Sequence, residues 1–181
     1  MSVFNISPLQ SAGGFIALGL AFLVHRNGVP LPNQILAVSA GVNLTMDTHK
    51  EEVTKLKPVD PILDPASTMQ WRRMWVGLSD STDPIPTHIA QDPCYNPSIG
   101  DCSIFKQAGT QLVLASGTYD TMHPYVRDFA ESAERGGAAT VFIVGQAQVH
   151  DFPLARKYIP ESNEASQAIV HAILSFSKRN V

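Results

Sequence analysis

The 181-residue sequence is long enough for one domain with a substantial core, and hydrophobic residues make up 44% of it against 16% charged residues. This balance excludes an intrinsically disordered chain, which would be rich in charge and poor in apolar residues. The net charge is −3 and no run of basic residues occurs, which argues against nucleic acid as a partner.

The first predicted elements are a strand, a turn and a helix. Residues 2–7 predict a short strand, and residues 8–13 predict a turn because proline and glycine are concentrated there. Residues 15–26 predict a helix that is apolar on nearly every side and ends at Asn27-Gly28. A helix of this kind requires burial on more than one face.

The same stretch allows a second interpretation as a membrane anchor. The first 24 residues carry no charged side chain, and residues 12–24 are almost wholly apolar. Against an anchor, this run is shorter than the roughly 20 residues that cross a bilayer, and no positively charged segment precedes it. We therefore expect no membrane association and a cytoplasmic location, with an anchor over residues 3–24 as the alternative.

Continuous apolar runs further along the chain predict strands that are buried on both faces, as in parallel sheets. They cover residues 34–39, 112–115 and 140–144, and each is followed by a small residue and a loop. Helices are predicted over residues 125–135 and 162–178. This alternation predicts an α/β fold with a mostly parallel sheet of about four strands, flanked by helices, in a single domain over residues 1–181.

Residues 46–93 have a different character, with many prolines, scattered charges and one aromatic helix predicted over residues 68–78. Trp71 and Trp75 fall on one face of that helix because they are four residues apart. We interpret residues 46–93 as an insertion that lies over the edge of the sheet.

Ser11, Asp120 and His150 each follow a predicted strand, in that order along the chain. In parallel α/β sheets, chemistry is concentrated at the carboxyl ends of the strands. A serine hydroxyl becomes a good nucleophile when a histidine takes its proton, and a carboxylate holds that histidine in one tautomer. Backbone N–H groups at the start of the helix after the serine, at Ala12 and Gly13, would stabilise an oxyanion. The pattern predicts a catalytic triad.

Several short motifs occur in one order along the chain: Ser11-Ala12-Gly13-Gly14, residues 39–45, Asp60-Pro61-Ile62-Leu63, Asp92-Pro93 with Asn96-Pro97, Gly117 with Asp120, and His150-Asp151-Phe152. Together they resemble the hormone-sensitive-lipase-like esterases of the α/β-hydrolase fold-3 family, whose nucleophile turn reads Gly-Asp-Ser-Ala-Gly-Gly. The resemblance implies the C-terminal half of an α/β-hydrolase fold, with residues 46–93 as a cap-like insertion. It also implies a serine carboxylesterase that acts on small esters with short or medium acyl groups and needs no cofactor.

Two departures from the family pattern favour a different hypothesis. Leu9 stands where the family has a small residue two positions before the serine, and Gln10 stands where it has an acid. The family's His-Gly-Gly-Gly loop, which supplies further oxyanion donors, is not found in the sequence. Removing one such donor costs on the order of 10²–10³ in rate. The alternative is therefore an inactive, truncated relative that acts as a binding fragment, and we expect self-association through an open sheet edge.

Three smaller expectations complete the prediction. Cys94 and Cys102 lie in a loop-like stretch where a local disulfide is open, but we expect free thiols in a reducing cytoplasm. The histidines other than His150 lack metal-ligand spacing and no CxxC pair occurs, so we predict no metal. No glycine-rich nucleotide motif occurs either, and we predict no cofactor. Trp71, Met74 and Trp75 either line an acyl pocket, as cap helices of the family do, or pack the insertion onto the sheet.

Overall fold

The structure is a computed structural model that describes residues 9–46, 48–78, 83–155 and 157–179. The strand predicted over residues 2–7 lies outside these residues. Within them, strands and helices alternate as the apolar runs predict. In chain order the elements are β1 (Leu9–Gln10), α1 (Ala12–Arg26), β2 (Gln34–Val38), α2 (Lys50–Leu56), α3 (Pro65–Trp75), α4 (Thr87–Ala90), a 3₁₀ turn (Pro97–Ile99), α5 (Ser103–Ala108), β3 (Gln111–Gly117), α6 (His123–Arg135), β4 (Ala139–Gly145), a second 3₁₀ turn (Phe152–Ala155) and α7 (Pro160–Arg179).

The four strands form one parallel sheet in the order β1-β2-β3-β4. Leu9 pairs with Ala37, and Val38 pairs with Ala115. Each new strand is added beside the previous one, so the carboxyl ends of all four lie along one edge of the sheet. This confirms the predicted α/β class and the predicted sheet of about four strands.

The predicted turn over residues 8–13 is wrong. Leu9 and Gln10 pair with β2, and α1 begins at Ala12, which leaves Ser11 alone between strand and helix. The two glycines of the first helical turn favour a turn by propensity alone, but packing overrides that weak preference. Gly14 is buried in the first turn of α1.

Alternate residues of the strands enter two cores on opposite faces of the sheet. Ile35 and Ala37 of β2 pack into the larger core, together with residues of α1, α5 and α6. Leu36 and Val38 pack into the smaller one, together with Phe152 of the second 3₁₀ turn and Ile169 of α7. Strands β2 and β3 are therefore buried on both faces, as continuous apolar runs require, whereas β4 is only partly buried, contrary to the prediction from its apolar run.

Helix α1 is apolar on nearly every side, but the structure buries only part of its circumference. Phe15, Leu18 and Phe22 are buried, among others. Ile16, Leu20 and Leu23 form an outer stripe at helical spacing that is 41%, 46% and 39% exposed. Helix α1 therefore presents an apolar face to solvent.

Two further expectations have structural counterparts. Cys94 and Cys102 are free thiols rather than a disulfide, with Cys102 buried. In the parts of the chain that the structure describes, none of the helices has both the length and the apolar character needed to cross a bilayer.

Residues 46–93 carry the helices α2, α3 and α4 between β2 and the loop that leads to α5. Helix α3 begins at Pro65, earlier than predicted, because the Asp64 side chain accepts the Ser67 N–H at 3.1 Å and caps the helix. On its outer side Trp71 and Trp75 are about half exposed, and Trp75 meets Phe15 of α1 edge-on with ring centroids 6.2 Å apart.

Candidate active site

Ser11 occupies a sharp, strained turn between β1 and α1. Its φ of 50° lies in the left-handed region, with ψ at −116°, a conformation that costs a non-glycine residue about 1–2 kcal/mol. The Ser11 N–H donates to the Val38 carbonyl at 2.8 Å, and its own carbonyl accepts the Phe15 N–H at 3.2 Å. The N–H groups of Ala12 and Gly13 precede this first helical bond, so they are available to a ligand at the helix N-terminus.

The structure brings the three predicted residues together in one hydrogen-bonded chain. His150 Nε2 lies 2.8 Å from Ser11 Oγ, and His150 Nδ1 lies 3.0 Å from Asp120 Oδ1. Because a carboxylate only accepts, Nδ1 carries the ring proton and Nε2 accepts the serine O–H. Asp120 and His150 are both buried, which protects their hydrogen bond from competing water.

The Asp120 loop is fixed by contacts on both sides of the carboxylate. Asp120 Oδ1 also accepts the Met122 N–H at 2.8 Å, and the Asp120 N–H donates to the Gly117 carbonyl at 3.0 Å. The next N–H, of Thr121, donates to Asp60 Oδ2 at 2.9 Å. Asp60 thus links residues 46–93 to the Asp120 loop through a hydrogen bond. The sequence motif that contains Asp60 did not predict this contact.

A close backbone approach aligns the Asp120 loop with the His150 loop. The Tyr119 N–H donates to the Gln148 carbonyl at 2.9 Å, and Ala147 N–H donates to Thr118 Oγ1 at 2.8 Å. A Cβ on Gly117 would lie 2.0 Å from the Gln148 carbonyl oxygen, so only glycine fits there. The Gln148 side chain is itself held by Ser162 Oγ of α7.

Three carboxylates influence the histidine. Burial lowers the pKa of His150, but the hydrogen bond and charge of Asp120, with the charges of Asp151 and Asp60, outweigh it and raise that pKa above its ordinary value. Asp151 Oδ2 lies 3.5 Å from His150 Nε2. The pKa of Asp151 is raised above its ordinary value. Burial is the largest cause, the charge of Asp120 adds to the rise, and the nearby His150 opposes it.

A cavity of about 370 Å³ opens beside Ser11, Ala12 and Phe15. Its wall includes Trp71, Met74 and Trp75 of α3, the residues for which the sequence left an acyl pocket and simple packing both open. Trp75 contacts Phe15 of helix α1, and all three side chains are at least half exposed.

Arg72 also lines this cavity, and sequence reasoning missed it. It shares the buried side of α3 with Thr68, four residues earlier, whereas the conspicuous tryptophan stripe is half exposed. Thr68 and Arg72 are four residues apart, and this spacing was the signal in the sequence that they share one side of the helix. Burial lowers the pKa of Arg72 to about 10, so the guanidinium stays charged at neutral pH.

The described ranges contain no group of three or more histidine, cysteine, aspartate or glutamate side chains arranged to hold a metal ion.

The strained serine turn at the carboxyl edge of a parallel sheet defines a class of protein, the α/β hydrolases. A family model described as alpha/beta hydrolase fold matches residues 10–154. The chain belongs to this family, in its fold-3 branch, to which the hormone-sensitive-lipase-like esterases belong.

Solved structures of this family share the fold. A structure of EstE5 soaked with ethyl alcohol aligns with a TM-score of 0.73 at 16% identity over 93% of this chain and 51% of its own. A hormone-sensitive lipase from a metagenome library gives 0.73 at 18% identity over 92% and 52%. An esterase of the bacterial hormone-sensitive lipase family gives 0.72 at 20% identity over 93% and 50%. The chain thus spans about half the length of these proteins.

Among curated proteins, none matches the chain.

Proposed function

We propose that the chain is a serine carboxylesterase that hydrolyses small esters with short or medium acyl groups. The observation that carries this proposal is the continuous chain of hydrogen bonds from Ser11 Oγ through His150 to Asp120, at 2.8 and 3.0 Å. A strained serine next to a cavity adds to it, because the same residue types at ordinary surface positions would serve as caps or turns.

In the proposed reaction each group has one step. Ser11 Oγ attacks the ester carbonyl while His150 Nε2 takes its proton, and Asp120 stabilises the imidazolium that forms. The developing oxyanion lies at the N-terminus of α1, where the N–H groups of Ala12 and Gly13 can donate to it. His150 then returns the proton to the leaving alcohol, and a water molecule hydrolyses the acyl-enzyme by the same steps in reverse order.

We further propose that residues 46–93 act as a cap and that the acyl group lies against α3. Trp71, Met74 and Trp75 line the cavity next to Ser11, which supports this placement. The cavity of about 370 Å³ is at the small end of ligand pockets, in keeping with a short acyl group.

Hydrolysis of p-nitrophenyl acetate and butyrate tests the proposed activity. The wild type should hydrolyse both esters, whereas Ser11→Ala and His150→Ala should lose at least about 10³-fold in rate. A matched control is Ser116→Ala, because Ser116 Oγ also lies 2.8 Å from a histidine, His123 Nδ1, but Ser116 is sealed in the core. Equal background rates in the wild type and both triad variants would remove the esterase proposal.

The alternative function, a binding fragment, is favoured by one observation. The outer stripe of α1 exposes Ile16, Leu20 and Leu23, and β1 is the terminal strand of the described sheet. Exposed apolar faces beside an unpaired strand edge promote association, so we propose that this surface pairs with a second copy of the chain.

Light scattering coupled to size-exclusion chromatography tests this association. The wild type should elute as a dimer or larger species, and the double variant Leu20→Glu, Leu23→Glu should shift it towards monomer. The matched control replaces Val29, which is exposed but lies beyond the end of α1, with glutamate and should leave the assembly unchanged. A monomeric wild type at high concentration would contradict the proposal.

We place the protein in the cytoplasm, in keeping with the free thiols of Cys94 and Cys102. Fractionation of cells that express the tagged chain should recover it with cytoplasmic markers, and recovery with membranes after carbonate extraction would contradict this location.

A further inference from the structure

Arg72 is an anomaly in the cavity beside Ser11. Its side chain is only 8% exposed, although arginine is almost never buried without a partner. Most of the side chains around it in the cavity wall are apolar, including Leu63, Met74 and Met122. A cation in such surroundings is costly unless an anion or several hydrogen bonds accompany it.

The structure supplies little compensation for this charge. Arg72 Nη2 donates to the thioether sulfur of Met122 at 3.3 Å, which is a weak acceptor. Arg72 Nη1 is buried and has no hydrogen-bond partner in the described chain. Within the same ranges, no carboxylate forms an ion pair with Arg72.

The neighbouring backbone leaves room for the guanidinium. A Cβ on Gly41 would lie 3.0 Å from Arg72 Nη2, which is tighter than ordinary van der Waals contact, so the glycine keeps this side of the group uncrowded. Gly41 and Arg72 line the same cavity as Ser11. A guanidinium without an ion-pair partner and the Ser11 hydroxyl therefore border the same cavity.

We propose that Arg72 binds a carboxylate at the far end of the acyl group, so that the preferred substrates are monoesters of short dicarboxylic acids. This inference rests on the proposed function, because it takes Ser11 as the group that attacks the ester. A guanidinium matches a carboxylate through two parallel N–H bonds, and its charge would be neutralised when the substrate binds. The apolar wall formed by α3 would contact the methylene chain between the two acid groups.

The proposal predicts a specificity that can be measured with two esters of equal chain length. Monoethyl adipate carries a terminal carboxylate where ethyl hexanoate carries a methyl group. The wild type should favour the adipate ester in kcat/KM, and Arg72→Met should lower kcat/KM for that ester by about 10- to 100-fold, the usual value of a charge-assisted pair. The ratio of kcat/KM for the adipate ester to kcat/KM for ethyl hexanoate should therefore fall in Arg72→Met, and Arg72→Lys should retain part of the preference.

The melting temperature of Arg72→Met distinguishes a loss of substrate recognition from a loss of folding. Replacing an unpaired buried cation with an apolar side chain of similar length should leave the melting temperature of the ligand-free protein unchanged or higher. A purely structural role for Arg72 would instead lower the melting temperature and reduce hydrolysis of both esters together.

Failure of this proposal can be distinguished from failure of the esterase proposal. If the wild type hydrolyses both esters and Arg72→Met leaves their ratio unchanged, carboxylate recognition is wrong while the esterase remains. If neither ester is hydrolysed, calorimetry with adipate and the Ser11→Ala protein decides, since adipate binding that Arg72→Met abolishes still supports the anion site. The absence of adipate binding in that experiment would overturn it.

Discussion

The carboxyl edge of the sheet and the face that carries the smaller core differ in how completely their side chains are buried and bonded. At the edge, Asp120 and His150 are buried and bonded to each other, and backbone contacts fix the loops that carry them. On the second face, Leu36 and Val38 of β2 are buried but border an open cavity of about 420 Å³ beside α7. The wall of this cavity also includes Leu154, Val170 and Ile173. Leu154 and Val170 are about half exposed or more.

The difference follows from what each region requires. The proposed triad needs only the ends of β1, β3 and β4 and the turns that follow them, all of which this chain supplies. Covering two faces of a parallel sheet requires helices on both sides, and the chain spans about half the length of the solved relatives. An organised site and a partly covered scaffold can therefore exist in the same chain.

The largest expected effect concerns the edge. In Asp120→Asn the amide group would favour the wrong tautomer of His150, and kcat for p-nitrophenyl butyrate should fall by about 10⁴-fold with little loss of stability. The matched control is Asp101→Asn. Asp101 accepts the N–H of Ser103, two residues later, as Asp120 accepts that of Met122, but Asp101 is exposed and lies just before α5. A decrease of less than tenfold in Asp120→Asn would mean that the buried pair does not orient the base.

The next prediction compares the two faces of β2 directly. Ile35 and Leu36 are adjacent, similar in volume and both buried, but they enter the larger and the smaller core respectively. Ile35→Ala should cost about 4 kcal/mol and Leu36→Ala about 2 kcal/mol in the free energy of unfolding, because the site beside the open cavity relaxes more easily. Urea unfolding measures both, and a Leu36→Ala cost that equals or exceeds the Ile35→Ala cost would remove the distinction between the faces.

A smaller effect is expected where the loops that carry Asp120 and His150 touch. In Gly117→Ala the new Cβ would overlap the Gln148 carbonyl oxygen, so the loops that carry Asp120 and His150 must separate. A displacement near 1 Å costs about 10²-fold in rate, which kcat/KM for p-nitrophenyl butyrate should show. Gly28→Ala is the control: it has open space around it and should cost only about 1 kcal/mol of stability for its positive φ, without loss of rate. Unchanged activity in Gly117→Ala would show that the loops tolerate separation.

Much of the scaffold was predictable because buried strands are encoded by continuous apolar runs in the sequence. The continuous apolar runs predicted β2, β3 and β4 to within a few residues. Strands β2 and β3 contain few polar residues because they are covered on both faces, whereas β4 has the same apolar character but is only partly buried. Ser11, Asp120 and His150 follow strands β1, β3 and β4, and this position predicted that they meet, because parallel strands place their carboxyl ends at one edge.

The remaining features depend on tertiary contacts that leave no local pattern. The start of α1 was missed because glycine is a poor helix former, and only packing against the sheet allows it there. Arg72 was missed because arginine is usually on the surface, and its burial follows from the side of α3 that faces the cavity. Likewise, the hydrogen bond from Thr121 to Asp60 joins residues 61 positions apart.

The smallest expected effect tests how the charges at the edge tune the base. His150 must be neutral to accept the Ser11 proton, and its pKa is raised, so kcat/KM should fall as the pH decreases through that raised pKa. Asp151 contributes to the rise from 3.5 Å away, so Asp151→Asn should lower the pKa of His150 and move the acidic limb of the pH profile to lower pH. The plateau rate should stay similar, because the Asp151 side chain is not required for proton transfer, and Asp101→Asn should leave the limb in place. An acidic limb that stays in place or moves to higher pH in Asp151→Asn would mean that Asp151 does not act on His150 through its charge, and that Asp120 and Asp60 account for the raised pKa.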